Sequence, residues 1–306
     1  MVQNTNKHEA LKQSKLNLRA KRRKLYIATS SIAVSLFFFF LYISGFKVAI
    51  IYASILVIAT VFLLRLYRDN YHLERVDWKN QVVVVTGDKT VIYIYCDISN
   101  KQLAQNAVDQ IVEKLGKPTV LFNNAAIVLA KSFLDSSVEE LEKVINVSFV
   151  SSIYMTRAIL PHMVEIQSGH IISVASILAF AGVPQCLSYC ASKAALNIFF
   201  DGLRLELNSN PKTSNIHFST IYPAKVTTNM FSGVDMPQVI LPDVTPDDVA
   251  KEVIRSIRAN KGRDIFMPIT SRLAIIVAFF PRAIRDWCYS VAGIHGSLER
   301  FNGNRW

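Results

Sequence analysis

The chain has 306 residues, of which 51% are hydrophobic, and a formal net charge of +11. This length and apolar content suit one sizeable domain with an appendage, and they exclude a disordered protein. The four cysteines follow no disulfide or zinc-ligand spacing, which argues against a disulfide-stapled secreted domain and against a structural metal site.

The N-terminal arm, residues 1–24, is strongly basic and directly precedes an apolar segment. It contains eight lysines and arginines against one acidic residue. A basic arm can bind nucleic acid, but this one lacks interleaved aromatic residues and adjoins an apolar run. We therefore expect a cytosolic arm that flanks a membrane anchor, and no nucleic acid partner.

Two uncharged segments follow, Leu25–Ser44 and Val48–Leu64. Each approaches the roughly 20 residues that a helix needs to cross a bilayer. Because basic residues flank the pair on both outer sides, the pattern predicts a transmembrane helical hairpin over residues 25–66, with both ends in the cytosol. One tilted span with a buried continuation is the alternative. Residues 67–80 are the predicted linker to the next domain.

From residue 81 to about 268, short β-branched runs alternate with longer helical patterns, which is typical of a parallel sheet wound with crossover helices. The predicted strands are Val82–Thr86, Val91–Tyr95, Thr119–Phe122, His170–Val174, Ile216–Ile221 and Asp264–Met267. The predicted helices are Asn100–Leu115, Ser137–Gln167, Ser188–Asn208 and Pro246–Ala259. The sequence thus predicts an α/β fold with a Rossmann-like, doubly wound parallel sheet.

The remaining residues, 269–306, form an apolar tail with interspersed arginines. Its longest uncharged run near the start, Leu273–Pro281, is too short to cross a membrane. Two interpretations stay open. The tail is either an ordinary packed C-terminal helix or an apolar flap that dips into the membrane surface beside a substrate entrance.

Four polar residues in this domain favour proton-transfer chemistry when taken together. Tyr189 and Lys193, in SYCASKAAL, lie four apart on one face of a predicted helix, where an ammonium group lowers the pKa of a neighbouring phenol. Ser176 ends the predicted strand HIISVAS, and Asn146 lies inside a predicted helix, although asparagine is a poor helix former. Each alone has an ordinary structural explanation. Together they indicate a site that transfers a proton to or from a carbonyl or alcohol oxygen.

These residues resemble the short-chain dehydrogenase/reductases, and the resemblance covers residues 81 to about 267. Asn146, Ser176, Tyr189 and Lys193 follow the family pattern of Asn, Ser and Tyr-x-x-x-Lys in order. The resemblance implies that Tyr189 is the acid/base, and that Lys193 lowers its pKa and holds the nicotinamide ribose. It also implies that Ser176 orients the substrate oxygen, that Asn146 steadies a water in the proton relay, and that NAD or NADP is the cofactor.

The resemblance implies further cofactor-binding residues besides Tyr189 and Lys193. The segment FNNAA places Asn124 and Ala125 at the carboxyl end of a predicted strand, where open α/β sheets bind ligands. Asp97 resembles the family's adenine-contacting aspartate. The segment YPAKVTT, with Val226 and Thr227, resembles the one that holds the nicotinamide amide.

One part of the family pattern is missing. Gly87 ends VVVVTG as the first glycine of a phosphate loop would, but the next glycine is Gly116, and only residues 88–90 precede the next strand-like run. A parallel crossover needs about a dozen residues. We therefore expect Val82–Thr86 and Val91–Tyr95 to form an antiparallel hairpin, or one of these strands to leave the sheet. Either way the N-terminal, nucleotide-binding half is incomplete, because the backbone cradle for pyrophosphate is absent.

Within the family, the apolar N terminus and tail look most like the membrane-associated retinol and 17-beta-hydroxysteroid dehydrogenase branch. That resemblance implies a membrane-anchored, NAD(P)-dependent oxidoreductase of the endoplasmic reticulum or lipid droplets, with its catalytic domain facing the cytosol. Its partners would be a retinoid, steroid or lipid-like alcohol, ketone or aldehyde, and a second copy in a homodimer. The alternative is a truncated or degenerate, catalytically inactive member that acts as a membrane-bound interaction protein.

Overall fold

A computed structural model of the chain describes residues 82–85, 94–234, 236–238, 241–294, 298 and 301. The chain divides into two units, Met1–His72 and Leu73–Trp306. The predicted basic arm, membrane hairpin and linker lie outside the described residues, as do Gly87 and the first three residues of the run Val91–Tyr95.

Five parallel strands form a single sheet in this unit. They are β1 (Val83–Val85), β2 (Val120–Asn123), β3 (Gly169–Val174), β4 (Ile216–Pro223) and β5 (Asp264–Met267). Their β-branched and aromatic runs suit a sheet that is covered on both faces. Each of the five coincides with a predicted strand to within two residues at either end.

The strands are neighbours in chain order, from β1 to β5. A doubly wound sheet reverses its strand order at one central strand, and the described strands show no such reversal. The Rossmann-like parallel sheet is confirmed, with helices on both of its faces, and the described strands do not include the N-terminal part in which a doubly wound sheet would reverse its order. The short sequence after Gly87 leaves no room there for a second strand and its crossover helix.

The predicted strand Val91–Tyr95 is described only at its last two residues. Ile94 and Tyr95 have no strand structure, and β1 pairs in parallel with β2, with Val84 opposite Leu121. Residues 86–93 lie outside the described residues, so the hairpin and the displaced strand both stay predictions. Val83 and Val85 are exposed, whereas Val84 between them is buried.

Seven α-helices occur among the described residues. They are α1 (Lys101–Leu115), α2 (Val138–Ile145), α3 (Ser151–Glu165), α4 (Leu187–Asn208), α5 (Pro246–Arg258), α6 (Leu273–Ala278) and α7 (Arg282–Val291). The first and fifth begin at side-chain caps, because Asn100 accepts from the backbone N–H groups of Gln102 and Leu103, and Thr245 with Asp248 forms a capping box.

The predicted helix Ser137–Gln167 is one continuous helical stretch with a change of pitch in its middle. A π-helix, Asn146–Val150, joins α2 to α3. The stretch Val138–Glu165 is long and apolar enough to cross a membrane. Met155, Ile159 and Met163 are nonetheless buried in the core against the sheet, so packing within the domain accounts for its apolar character.

The core lies on both faces of the sheet. Consecutive residues of a strand point to opposite faces, and Ile171 and Ile172 accordingly join different clusters. Ile171 packs with α1, α3 and α4, and Ile172 packs with α5. This arrangement holds the carboxyl ends of β2, β3 and β4 side by side, and the loops that follow them form the site described next.

Candidate active site

Tyr189 and Lys193 lie on α4 with their side chains in contact, as their spacing predicts. The Lys193 ammonium nitrogen is 5.5 Å from the centroid of the Tyr189 ring. It donates a hydrogen bond of 2.6 Å to the carbonyl oxygen of Val174, the last residue of β3. Both side chains are buried, at 4% exposure for Tyr189 and 2% for Lys193. The bond to Val174 therefore holds α4 against the carboxyl edge of the sheet.

Ser176 completes a cluster of three residues, here called the catalytic cluster: Ser176, Tyr189 and Lys193. Its hydroxyl group hydrogen-bonds with the Tyr189 phenol. The same oxygen accepts from the backbone N–H of Leu178 at 3.1 Å and lies 3.4 Å from the carbonyl oxygen of Pro223, at the end of β4. Three of the four predicted catalytic residues are thus brought together at the ends of β3 and β4.

The pKa of Tyr189 shifts in the direction opposite to the one expected from its neighbour. Burial raises it above the ordinary value, the thiols of Cys186 and Cys190 raise it further, and the hydrogen bond with Ser176 lowers it. Burial also lowers the pKa of Lys193 to about 7. The ammonium is therefore only partly charged at neutral pH, and desolvation outweighs the attraction that sequence spacing alone suggests.

The structure does not bring Asn146 to the catalytic cluster. It is the first residue of the π-helix, and its side chain is exposed to solvent. A buried serine two residues later, Ser148, contacts the loop after β2 instead. The expected role of Asn146 therefore lacks the burial and the contacts that the other three residues have.

The residues expected to hold the nicotinamide end of a cofactor follow β2 and β4. Asn124 and Ala125 are half-buried in the loop directly after β2. Val226 pairs with Val244, and the N–H of Thr227 donates to the Val244 carbonyl at 2.9 Å. The loop after β4 is thereby fixed beside the end of the sheet.

Asp97 has a local structural contact. Its carboxylate accepts hydrogen bonds from the Ser99 N–H at 3.0 Å and from the Ser99 hydroxyl at 2.6 Å, which shapes the turn before α1. Its carboxylate is on the surface. An adenine contact for Asp97 and a phosphate contact for Gly87 stay predictions, since Gly87 lies outside the described residues.

Buried polar atoms test whether this edge of the sheet suits a nucleotide. Asn123 donates to the Thr156 hydroxyl at 3.2 Å, but its carbonyl oxygen has no hydrogen-bond partner among the described residues. Ser173 lies opposite Asn123 on β3, and its buried hydroxyl group also has no hydrogen-bond partner among the described residues. Such atoms suit a polar ligand, so the nicotinamide end of a dinucleotide fits this edge.

Apolar residues from distant segments cover Tyr189, and sequence reasoning missed them. Phe231 makes an edge-to-face contact with the Tyr189 ring at 5.7 Å between centroids. The surrounding cluster, here called the apolar cover, includes Val128, Val183, Phe231, Val234, Leu298 and Phe301. These residues are far apart in the sequence, and no local pattern marks them. They surround the tyrosine with hydrocarbon.

The four cysteines form no disulfide among the described residues. Cys96, Cys186, Cys190 and Cys288 are all free thiols. Among the described residues, no cluster of histidine, cysteine and acidic side chains is placed to hold a metal ion.

Comparisons with known proteins point to one family. The family model described as short chain dehydrogenase matches residues 59–238. Short-chain dehydrogenase/reductase 3 of Bos taurus is 31% identical over 214 residues, which cover 69% of each chain. The 17-beta-hydroxysteroid dehydrogenase 13 of Rattus norvegicus is 32% identical over 197 residues, covering 63% of this chain and 64% of its own.

A solved structure, an ElxO variant with NADPH bound, shares the fold. Its TM-score is 0.50 at 22% identity, covering 57% of this chain and 76% of its own. The family match spans more than half of the chain and contains the catalytic cluster. The chain belongs to the short-chain dehydrogenase family of oxidoreductases, in the branch that includes the 17-beta-hydroxysteroid dehydrogenase 13 enzymes.

Proposed function

We propose that this protein is a membrane-anchored, NAD(P)-dependent oxidoreductase that interconverts a lipophilic alcohol and its ketone or aldehyde. The observation that carries the proposal is the catalytic cluster, in which the Tyr189 phenol contacts both the Ser176 hydroxyl and the Lys193 side chain. A buried phenol between a hydroxyl donor and an amine is equipped to move a proton at a substrate oxygen.

The residues of the cluster would divide the work as follows. The bound cofactor would supply or accept the hydride. Tyr189, whose pKa burial raises, keeps its proton at neutral pH and would donate it to a carbonyl oxygen. Ser176 would hold that oxygen by a hydrogen bond. Lys193, with a pKa near 7, would exchange protons with solvent and restore the phenol.

The cofactor would lie along the carboxyl edge of the sheet. Asn124, Ala125, Val226 and Thr227 flank this edge from the loops after β2 and β4, and Lys193 would reach the ribose. Asp97 and Gly87 would serve the adenine and phosphate ends. NAD and NADP are both compatible with this set.

The apolar cover supports a lipophilic substrate, because hydrocarbon surrounds Tyr189. The tail supports access from a membrane. Phe279 directly follows α6 and is 84% exposed, and Trp287 lies on α7, which also carries two arginines, and is 65% exposed. Exposed aromatic and basic side chains together favour the flap interpretation, with residues 269–306 at the membrane surface.

We further propose that the N-terminal hairpin anchors the protein in the endoplasmic reticulum or on lipid droplets, with the catalytic domain in the cytosol. A retinoid, steroid or similar lipid would then enter from the bilayer. The similarity to 17-beta-hydroxysteroid dehydrogenase 13 supports this class of substrate. A homodimer is compatible with the proposal.

The test replaces Tyr189 by phenylalanine in the detergent-solubilised full chain. Tyr189→Phe keeps the ring and removes the transferable proton, so turnover of a retinol and steroid panel should fall by about 100-fold or more. Tyr222→Phe is the matched control, because Tyr222 donates to Asn197 at 2.6 Å outside the cluster. Equal turnover in the two variants would refute the role of Tyr189.

A second candidate function follows from the missing phosphate loop. The chain has no glycine between Gly87 and Gly116, and β1 pairs directly with β2. A member of the family without a pyrophosphate cradle would be inactive, and would act as a membrane-bound interaction protein. Sequencing of the transcript across the codon for Gly87, together with the cofactor-binding measurement described below, distinguishes the two.

A further inference from the structure

Ser148 makes an unusual pair of hydrogen bonds. Its hydroxyl oxygen accepts from the backbone N–H of Ile127 at 3.0 Å and donates to the carbonyl oxygen of the same residue at 3.1 Å. The side chain is 1% exposed. One hydroxyl group thus satisfies both backbone groups of a residue that lies 21 positions earlier in the chain.

The π-helix gives Ser148 this orientation. Within it the N–H of Ser151 donates to the carbonyl of Asn146, five residues back, rather than four as in an α-helix. The wider turn changes which side chains face the sheet, so Ser148 points inwards and Asn146 points to solvent. π-Helical turns inside α-helices occur frequently at functional sites.

Ile127 connects this pair of bonds to the catalytic cluster. It lies in the loop after β2, two residues beyond Ala125, and its side chain packs against the apolar cluster that contains Tyr189. The π-helix itself packs against α4, where Phe149 contacts Phe199 at 6.1 Å between ring centroids. Ser148 therefore links the loop after β2 to the helix that carries the acid/base.

We propose that Ser148 is the positioning residue of this site, in the place that the sequence pattern assigns to Asn146. Its hydroxyl holds the loop of residues 124–127 at a fixed distance from Tyr189 and Lys193. A loop that drifts from this position carries the cofactor's nicotinamide end away from the phenol. The consequence for turnover rests on the proposed function, whereas the restraint on the loop does not.

The first experiment is independent of activity. Amide hydrogen exchange is measured on the full chain in detergent, with Ser148→Ala compared with Ser151→Ala. Ser151 is the matched control, since it is equally buried in the same helical stretch but donates to Val147 at 2.7 Å and not to the loop. Ser148→Ala should speed exchange of the Ile127 amide by about 10-fold, as expected for one lost hydrogen bond.

The increase should also reach the first turn of α4, residues 187–190, because Ile127 packs against the apolar cluster that contains Tyr189. Ser151→Ala should leave exchange at both places as in the wild type. Unchanged exchange at Ile127 in Ser148→Ala, or an increase that stops there, would overturn the proposal, whether or not the chain turns over any substrate.

A second pair of variants separates the hydroxyl group from steric effects. Ser148→Thr and Ser148→Val add nearly the same volume, but only threonine keeps the hydroxyl. With NADPH and a steroid or retinoid substrate, kcat of the Ser148→Val variant should be about 10-fold lower than kcat of the Ser148→Thr variant. The KM of the lipid substrate should change less. Asn146→Ala should retain kcat.

These outcomes can be told apart from a failure of the proposed function. If Tyr189→Phe loses turnover while Thr and Val at position 148 have equal kcat, Ser148 is a structural tether only and the proposal is wrong. If Asn146→Ala loses turnover and Ser148→Val keeps it, the role belongs to Asn146. If the wild type has no turnover, the exchange at residues 187–190 decides the matter.

Discussion

The imidazole Nε2 of His170 lies 2.9 Å from the hydroxyl oxygen of Ser219, at the end of the sheet opposite the catalytic cluster. Ser219 also contacts the Ser256 hydroxyl at 2.6 Å and accepts from the Arg263 N–H at 3.1 Å. His170 is buried, and burial, assisted by the nearby His217, lowers its pKa to about 3. This neutral network joins β3 and β4 to α5.

His170→Gln should flatten the acid limb of the stability curve. The unfolded imidazole has a pKa of about 6.5, so between about pH 6.5 and pH 3 only the unfolded state binds the proton. Stability is therefore complete above about pH 6.5 and falls as the pH is lowered, by up to about 1.4 kcal/mol per pH unit. Urea unfolding at pH 5 and pH 7 measures this. Parallel pH dependences in variant and wild type would contradict the buried neutral histidine.

Lys193→Met should raise stability at neutral pH while abolishing turnover. The pKa of Lys193 is lowered to about 7 in the fold, against about 10.4 when unfolded. The fold therefore gains stability as the pH rises from about 7 to about 10, and the cost of the buried lysine is greatest below pH 7. Methionine removes that cost, less about 1 kcal/mol for the lost bond to Val174. Unfolding at pH 7 and pH 9.5 should show the gain shrinking at the higher pH.

Two exposed glycines should respond oppositely to alanine. A β-carbon at Gly262 would clash with the carbonyl oxygen of Phe218, so Gly262→Ala should cost roughly 1–3 kcal/mol. Gly202 lies inside α4 with open space around it, so Gly202→Ala should stabilise by about 0.5–1 kcal/mol. Thermal unfolding of the two variants tests this. A melting temperature that moves the same way in both would count against this packing at Gly262.

Trp287 should report contact of the tail with lipid. The chain has three tryptophans, and Trp287 is the one on the exposed face of α7. In vesicles of brominated phospholipid, Trp287→Phe should remove a quenched component of the fluorescence that Tyr289→Phe leaves in place. If brominated lipid quenches Trp287→Phe as strongly as the wild type, the tail is not at the membrane surface.

Cofactor affinity should reveal what the missing loop contributes. We expect the 306-residue chain to bind NADH and NADPH very weakly, because the backbone N–H groups of a phosphate loop cannot be replaced by scattered side chains. Inserting a glycine-rich β-α-β-α segment from a relative after Gly87 should raise both the cofactor affinity and the turnover. Calorimetry before and after the insertion is the measurement. Micromolar affinity in the uninserted chain would show that the loop is dispensable.

The regular elements could be predicted because their signals are local. Alternating β-branched residues mark β3 and β4, and a capping serine marks the start of α2 at Ser137. Tyr189 and Lys193 could be placed on one helix face because four residues make about one turn. These inferences need only the sequence within each element.

The rest depended on contacts between distant segments. Residue type and the family pattern both point to Asn146, whereas the structure buries Ser148 and leaves Asn146 exposed, and the local sequence carries no signal for the π-helical change of pitch. The direction of the Tyr189 pKa shift depends on burial by Phe231 and Phe301, which come from two loops later in the chain. The spacing of Tyr189 and Lys193 in the sequence cannot predict how far residues from elsewhere in the chain bury them.

The apolar cover also has a kinetic consequence. Because Tyr189 is only 4% exposed beneath it, a substrate must displace side chains such as Phe231 before it reaches the phenol. Association then has an upper limit set by the opening rate, and raising the concentration of substrate beyond that point gains nothing. If the proposed membrane anchor holds the domain at a bilayer, a lipid concentrated there would be present at each opening event, whereas a dilute water-soluble alcohol would be absent from most of them. The solubility of a substrate in lipid would thus limit its access to Tyr189 before the shape of the site discriminates among substrates.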